Sequence, residues 1–148
     1  MPATLVGMEP ERGLVALSRD MCLDLLRRAA VGRVVFTERA LPAVLPVSFA
    51  VLGDDVVICT DGSGRIARAA QAGVLAFEVD DIDPRTRTGW SVVLTGTAAL
   101  VTEAGELAEA EAALDPWAPG PHDIVIRIPS TLVTGRRLVR WMEAEAAG

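Results

Sequence analysis

The sequence of 148 residues contains no lysine, no tyrosine and no asparagine, and it has a single histidine, His122. Without lysine the chain can neither form a Schiff base with a carbonyl group nor supply the lysine of a phosphate-binding P-loop. One histidine and two cysteines cannot provide the clustered ligands of a typical zinc or iron site. A Ser-His-Asp triad would have to use His122, which lies in a loop rich in proline and glycine, and no G-x-S-x-G sequence is present. If the chain is an enzyme, we therefore expect a bound cofactor to carry the reaction.

The chain also lacks long apolar runs and an excess of basic charge. No hydrophobic stretch approaches the roughly 18–20 residues of a membrane helix, and residues 1–13 show no signal-peptide pattern. The formal net charge of −6 argues against nucleic acid as a partner. Cys22 falls in a helical pattern and Cys59 in a strand pattern, so we expect both to be reduced core residues. Together these features predict a globular cytoplasmic protein with no membrane partner.

The apolar pattern predicts a small domain with three helices. Residues 1–16 have the pattern of a loose leader, and no repeat or composition break divides residues 17–148, which we predict to form one domain. A first helix is expected to begin after Ser18 as the N-cap and to end at Gly32. Two further helices are predicted, over Arg65–Gln71 and Glu103–Leu114.

Short strands fill the rest of the chain. Pro46 implies an edge position or a bulge, Gly96 suggests a bulge or bend, and residues 80–84 are predicted to form an acidic loop. The last predicted strand is expected to return antiparallel to the one before it, through Thr134-Gly135. The predicted strands are Arg33–Thr37, Ala43–Val51, Asp55–Thr60, Val74–Val79, Trp90–Val101, Asp123–Ile128 and Arg136–Trp141. Such strands favour a barrel or sandwich over a Rossmann sheet.

The most informative segment runs from a strand ending at Thr60, through an Asp-Gly-Ser-Gly turn, into the helix beginning at Arg65. Backbone N–H groups at a helix start attract phosphate, and the Ser63 hydroxyl and the Arg65 guanidinium would add donors. In the simpler interpretation Ser63 only caps the helix and Arg65 is solvated. The residues alone leave both interpretations open.

Several weak motifs occur in a characteristic order between Leu17 and Leu138. They are G-R-V-V-F-T (Gly32–Thr37), P-A-V-L-P-V-S-F-A (Pro42–Ala50), T-x-x-x-G-R (Thr60–Arg65), A-F-E-V-D-D-I-D (Ala76–Asp83), G-W-S-V-V-L-T-G (Gly89–Gly96), W-A-P-G-P (Trp117–Pro121) and V-T-G-R-R (Val133–Arg137). In these motifs the chain resembles the pyridoxamine 5′-phosphate oxidase-like FMN-binding split barrels, and within them the flavin/deazaflavin and nitroimidazole-resistance-like branch. The resemblance implies a mainly β fold, a six-stranded antiparallel split β-barrel, and a homodimer with FMN in a groove between the subunits.

The resemblance also implies a set of cofactor-binding residues. The strand along the flavin ring would contain Pro46, Val47, Ser48 and Phe49. The phosphate turn would contain Thr60, Ser63, Gly64 and Arg65. Trp90 and Ser91 would contact the flavin from the other subunit, and Trp117 would help to cover it. The serine and lysine usual in the phosphate turn are missing here, as are the basic residues that would grip pyridoxamine phosphate, so true pyridoxamine phosphate oxidation is not expected.

Three functions are compatible with these features. The first is an FMN-dependent oxidoreductase that takes electrons from a small-molecule donor and gives them to a small-molecule acceptor, with no identifiable catalytic residue. The second uses the deazaflavin F420 in place of FMN, and the third is a non-enzymatic flavin- or haem-binding protein. Simpler roles stay open for three single residues. Trp90 would belong to the core, Trp117 would only fix the shape of a loop, and His122 would lie at the surface.

Overall fold

A computed structural model of the protein describes residues 13–140, which form ten strands and three helices. In chain order the elements are β1 (Leu14–Ala16), α1 (Arg19–Arg28), β2 (Val31–Glu38), β3 (Leu41–Ser48), β4 (Ala50–Leu52), β5 (Asp55–Thr60), α2 (Arg65–Gln71), β6 (Val74–Asp83), β7 (Thr88–Thr97), β8 (Ala99–Leu100), α3 (Ala104–Ala113), β9 (Ile124–Ile128) and β10 (Leu132–Leu138). Within these residues no helix is both long enough and apolar enough to span a membrane.

The strands form two antiparallel sheets. Sheet A has six strands in the order β1-β10-β7-β6-β2-β3, and sheet B has four in the order β4-β5-β9-β8. The predicted mainly β, antiparallel split barrel is confirmed. The strand segments number ten because β1 adds to the seven predicted strands, and two of those seven each divide and pass from one sheet to the other. The run Ala43–Val51 breaks at Phe49 between β3 and β4, and Trp90–Val101 breaks at Ala98 between β7 and β8.

The hydrophobic core lies between the two sheets and α1. Alternate residues of the sheet A strands point inward, which is the period expected of a half-buried sheet. Phe77 at the centre is fully buried, and its ring packs edge-on against Phe49, with centroids 4.7 Å apart. Helix α1 begins where the Ser18 hydroxyl accepts a hydrogen bond from the Met21 N–H, and it buries Cys22 and Leu26. Cys22 is therefore a core residue, as predicted, whereas Cys59 is only partly buried.

Three predictions about strands were wrong. Residues 14–16, assigned to a loose leader, form β1 and pair with β10. Residues 80–83, predicted to be a loop, continue β6 and pair with β7, and the chain turns only after Asp83, whose side chain accepts a hydrogen bond from the Arg85 N–H. Strand β10 pairs with β7 and β1 rather than with β9, because the chain crosses to the other sheet at residues 129–131. Trp141 lies outside the described residues.

Two predictions about special residues had different outcomes. Pro46 lies on β3, the edge strand of sheet A, where its missing N–H breaks no ladder, as predicted. Gly96 makes no bulge, since the pairing of β7 with β6 runs without interruption through it. A Cβ at this position would collide with the Pro129 carbonyl oxygen, so close backbone approach explains this glycine.

Candidate functional site

A cavity of about 360 Å³ lies where the edge of sheet A meets the end of β5 in sheet B. Its walls come from the start of β2, the last residues of β3, the last residues of β5, and the loop that joins α3 to β9. The lining residues are Val31, Pro46, Val47, Ser48, Cys59, Thr60, Pro116, Trp117, Ala118 and His122. The walls are mainly apolar, and a few polar side chains converge on them, which is the usual composition of a small-molecule site.

Five of the residues that the resemblance assigned to the cofactor line this cavity together: Pro46, Val47, Ser48, Thr60 and Trp117. They are brought together because β3 ends and crosses to the second sheet beside the end of β5. Phe49, the next residue along the chain, points instead into the core against Phe77. Of the described residues, the loop containing Trp117 adds the only aromatic wall, and this side chain is 65% exposed.

Trp90 and Ser91 do not line the cavity of their own chain. They lie on β7 in the middle of sheet A, where Trp90 pairs with Asp81 and Ser91 with Asp80. Trp90 is partly buried and packs against the hydrophobic core. A contact between either residue and the cofactor would therefore have to come from a second subunit.

The donors of the predicted phosphate turn are already paired within the chain. The Gly62 N–H donates to Asp123 Oδ1 at 2.8 Å, and both the N–H and the hydroxyl of Ser63 donate to Asp61 Oδ1, at 2.9 and 2.8 Å. The Gly64 N–H donates to the Asp61 carbonyl oxygen. The two hydrogen bonds from Ser63, first that of its N–H and then that of its hydroxyl, hold the pKa of the Asp61 carboxyl below its usual value. Ser63 thus closes an Asx-type turn and does not itself cap α2, whose N-cap is Gly64.

Arg65 is engaged by a carboxylate across a second cleft. Its Nε and Nη2 donate to the two oxygens of Glu38 at 2.9 and 3.0 Å, which holds the pKa of that carboxyl below its usual value. The guanidinium also lies 5.5 Å from the centre of the Phe36 ring. Arg39 and Arg68 line the same cleft of about 370 Å³. Three guanidinium groups around one carboxylate make this cleft positive, although the chain as a whole is acidic.

Sequence reasoning missed five cavity residues: Val31, Cys59, Pro116, Ala118 and His122. Cys59 could have been found, since it precedes Thr60 at the same strand end. Burial raises the pKa of its thiol. His122 was expected at the surface, yet its ring lines the cavity and its Nε2 lies 2.7 Å from the Ala118 carbonyl oxygen. No local pattern signals this contact, because it depends on how the loop folds back.

The outward face of sheet A is unusually apolar for a surface. Val44, Val74 and Leu132 are each more than half exposed, and they alternate with inward-pointing core residues. Val31, Pro46 and Ser48 belong to the same outward rows, so the cavity opens onto this face. We call it the outer face of sheet A.

A group of charges lies in the middle of the outer face. Arg33 Nη1 contacts Glu78 Oε1 and Asp80 Oδ2, each at 3.2 Å. Burial, and secondarily the nearby Asp80 carboxylate, raise the pKa of Glu78 to about 7. One guanidinium thus serves two carboxyl groups that repel each other when both are ionised.

Comparisons with known proteins agree with this architecture. The sequence profile of the pyridoxamine 5′-phosphate oxidase family matches residues 18–137. The uncharacterised protein Rv0080 of Mycobacterium tuberculosis is 43% identical over 133 residues, covering 86% of this chain and 88% of that protein. The structure of the FAD binding protein from Mycobacterium smegmatis is 34% identical, with a TM-score of 0.72 over 84% of this chain and 98% of that one.

A more distant structure, the FAD and heme binding protein from Mycobacterium smegmatis, is 18% identical and has a TM-score of 0.67 over 90% of this chain and 80% of that one. At this identity the likeness shows a shared fold. The family profile covers most of the chain and the sequence of a relative is closely similar. The chain belongs to the pyridoxamine 5′-phosphate oxidase family.

Proposed function

We propose that the protein is a homodimeric, cytoplasmic flavoprotein that binds FMN in the cavity at the end of β3 and passes electrons between a small-molecule donor and a small-molecule acceptor. The observation that carries this proposal is the convergence of Pro46–Ser48, Thr60 and Trp117 on one cavity. The FAD binding protein of 34% identity supports a flavin as the ligand.

The cavity residues fit a planar ring with a polar edge. Val31 and Val47 offer apolar wall, the Trp117 indole offers an aromatic surface for stacking, and the hydroxyls of Ser48 and Thr60 can hydrogen-bond. When bound, FMN would supply an acceptor and donor of hydride. The chain's own side chains would bind the ring, orient it and exclude water. With no lysine or tyrosine available, we assign no catalytic residue.

The phosphate end of the ligand fits less directly. Arg65 is the strongest donor in the turn, but Glu38 occupies it. Because that ion pair is exposed to water, a phosphate can displace Glu38 at small cost. We therefore propose that Arg65 holds the phosphate by exchanging partners, with Arg39 and Arg68 adding positive charge in the same cleft.

The outer face of sheet A supports the homodimer. Exposed apolar side chains such as Val44 and Leu132 lose contact with water if a second copy covers them. Because the cavity opens onto this face, the second copy would also contribute a wall to each site. Such a shared site would bring Ser91, whose side chain lies on the outer face, to the flavin of the other subunit, whereas Trp90 alternates with Ser91 along β7 and packs against the core.

The experiment is to incubate the purified protein with FMN, FAD or F420, pass it through gel filtration, and record the visible spectrum. We expect equimolar FMN to stay with the chain. Retention of FAD or F420 in preference to FMN would reassign the cofactor, and a colourless protein in all three cases would refute the proposal. Ser48→Trp fills the cavity and should abolish retention, whereas Thr102→Trp, at an exposed position away from the cavity, should not.

If a flavin stays bound, oxidoreductase activity is tested next. The loaded protein would be mixed anaerobically with nicotinamide cofactors, and the loss of the oxidised flavin spectrum would be followed. Small organic acceptors would then be added to test whether the spectrum returns. A flavin that no donor reduces would restrict the function to flavin binding.

A further inference from the structure

The loop between α3 and β9 forms one side of the cavity. Pro116, Trp117 and Ala118 line it near the beginning of the loop, and His122 lines it near the end. The intervening residues include Pro119 and Pro121. Prolines fix the backbone φ angle, so a single additional contact can hold such a loop in one shape.

The single histidine of the chain makes that contact. Its Nε2 lies 2.7 Å from the Ala118 carbonyl oxygen, which can only accept a hydrogen bond, so Nε2 carries the proton. Its Nδ1 is buried and has no hydrogen-bond partner among residues 13–140. The ring is therefore anchored by Nε2 alone, and the bond ties His122 to the residue directly after Trp117.

On the basis of the flavin site proposed above, we infer that His122 is a positioning residue: its Nε2–H bond to the Ala118 carbonyl oxygen holds Trp117 against the ligand cavity. Trp117 is 65% exposed, so its packing against the rest of the chain does little to fix its position. The hydrogen bond from His122 holds Trp117 in place before the ligand binds. Order supplied in advance lowers the entropic cost of binding.

This role predicts coupling between the two residues. If His122 acts only through Trp117, replacing His122 does not weaken ligand binding further in a chain that already lacks the Trp117 indole. If His122 instead touches the ligand itself, the two losses multiply. Gln can place its side-chain amide nitrogen close to the position of Nε2, and it leaves out the unpartnered Nδ1. The substitution His122→Gln should therefore preserve the function, whereas His122→Ala should not.

The binding test measures the Kd for FMN by flavin fluorescence. We expect His122→Ala and Trp117→Ala each to weaken binding roughly 3–10-fold, the value of one aromatic contact. The double variant should match Trp117→Ala within about twofold, and His122→Gln should match the wild type. Unchanged affinity in His122→Ala, or losses that multiply in the double variant, would overturn the inference.

A second readout needs no ligand, so it separates this inference from the proposed function. In a Trp90→Phe, Trp141→Phe background, Trp117 is the sole tryptophan. We expect its fluorescence anisotropy to fall in His122→Ala and to recover in His122→Gln. An anisotropy that does not change overturns the positioning role even if FMN binds. If the wild type fails to bind FMN, the flavin proposal fails and the anisotropy still decides the role of His122.

Discussion

Glu78 should make the stability of the protein fall as the pH rises. Its pKa is raised from 4.5 to about 7, because burial, and secondarily the nearby Asp80 carboxylate, disfavour the ionised form. Between these two values the folded chain holds a proton that the unfolded chain has released. The contribution of Glu78 to the free energy of unfolding is therefore largest below pH 4.5 and decreases until the pH exceeds about 7.

The size of this effect follows from the change in pKa. At 1.36 kcal/mol for each pKa unit, Glu78 contributes at most about 3 kcal/mol to the change in the free energy of unfolding. The Glu78 side chain is 24% exposed, and screening by solvent reduces its contribution below this maximum. We therefore expect Glu78 to contribute about 1–2 kcal/mol to the fall in stability between pH 5 and pH 8.

Urea unfolding at constant protein concentration measures this dependence, because the apparent stability of the proposed dimer would vary with concentration. Glu78→Gln keeps a neutral side chain at every pH, so its free energy of unfolding should decline by about 1–2 kcal/mol less than that of the wild type. The control is Glu109→Gln on α3, which replaces an exposed carboxyl group and should behave like the wild type. Identical pH dependence in Glu78→Gln and the wild type would refute the reasoning.

Three further substitutions test separate parts of the account. Arg65→Ala should weaken FMN binding roughly tenfold but leave riboflavin, which has no phosphate, unchanged; equal losses for both would contradict the phosphate role. Gly32→Ala forces a Cβ against the buried Phe77 ring and should lower the free energy of unfolding by about 1–3 kcal/mol, measured by urea titration; an unchanged midpoint would contradict this packing. Val93→Asp on the outer face should convert the proposed dimer to monomer in sedimentation velocity, whereas Leu100→Asp on sheet B should not; a dimeric Val93→Asp would contradict an interface on the outer face.

Local patterns predicted individual elements well. Strand β5 and helix α2 have the bounds expected from the sequence, because an apolar run and a helical run are separated by a Gly-rich turn. The partner of β10 was not predictable in the same way. Which strands pair is decided by contacts between distant parts of the chain, and a hairpin with β9 satisfied every local signal equally well.

The residues of the candidate site were likewise predictable only in part. The resemblance singled out Pro46–Ser48 and Thr60, which the structure places around one cavity. It could not reveal that the carboxylates of Asp61, Asp123 and Glu38 occupy the donors of the phosphate turn, since these carboxylates come from three separate segments. The role of His122 was hidden for the same reason, because its contact depends on the fold of a loop.

The central claim is that a flavin occupies the cavity at the end of β3, and a crystal structure of the protein grown with FMN tests it most directly. We predict electron density for the flavin ring between residues 46–48 and Trp117, with the phosphate at Arg65 and a second copy of the chain covering the outer face of sheet A. FMN bound elsewhere on the chain, with this cavity filled only by water, would contradict the account.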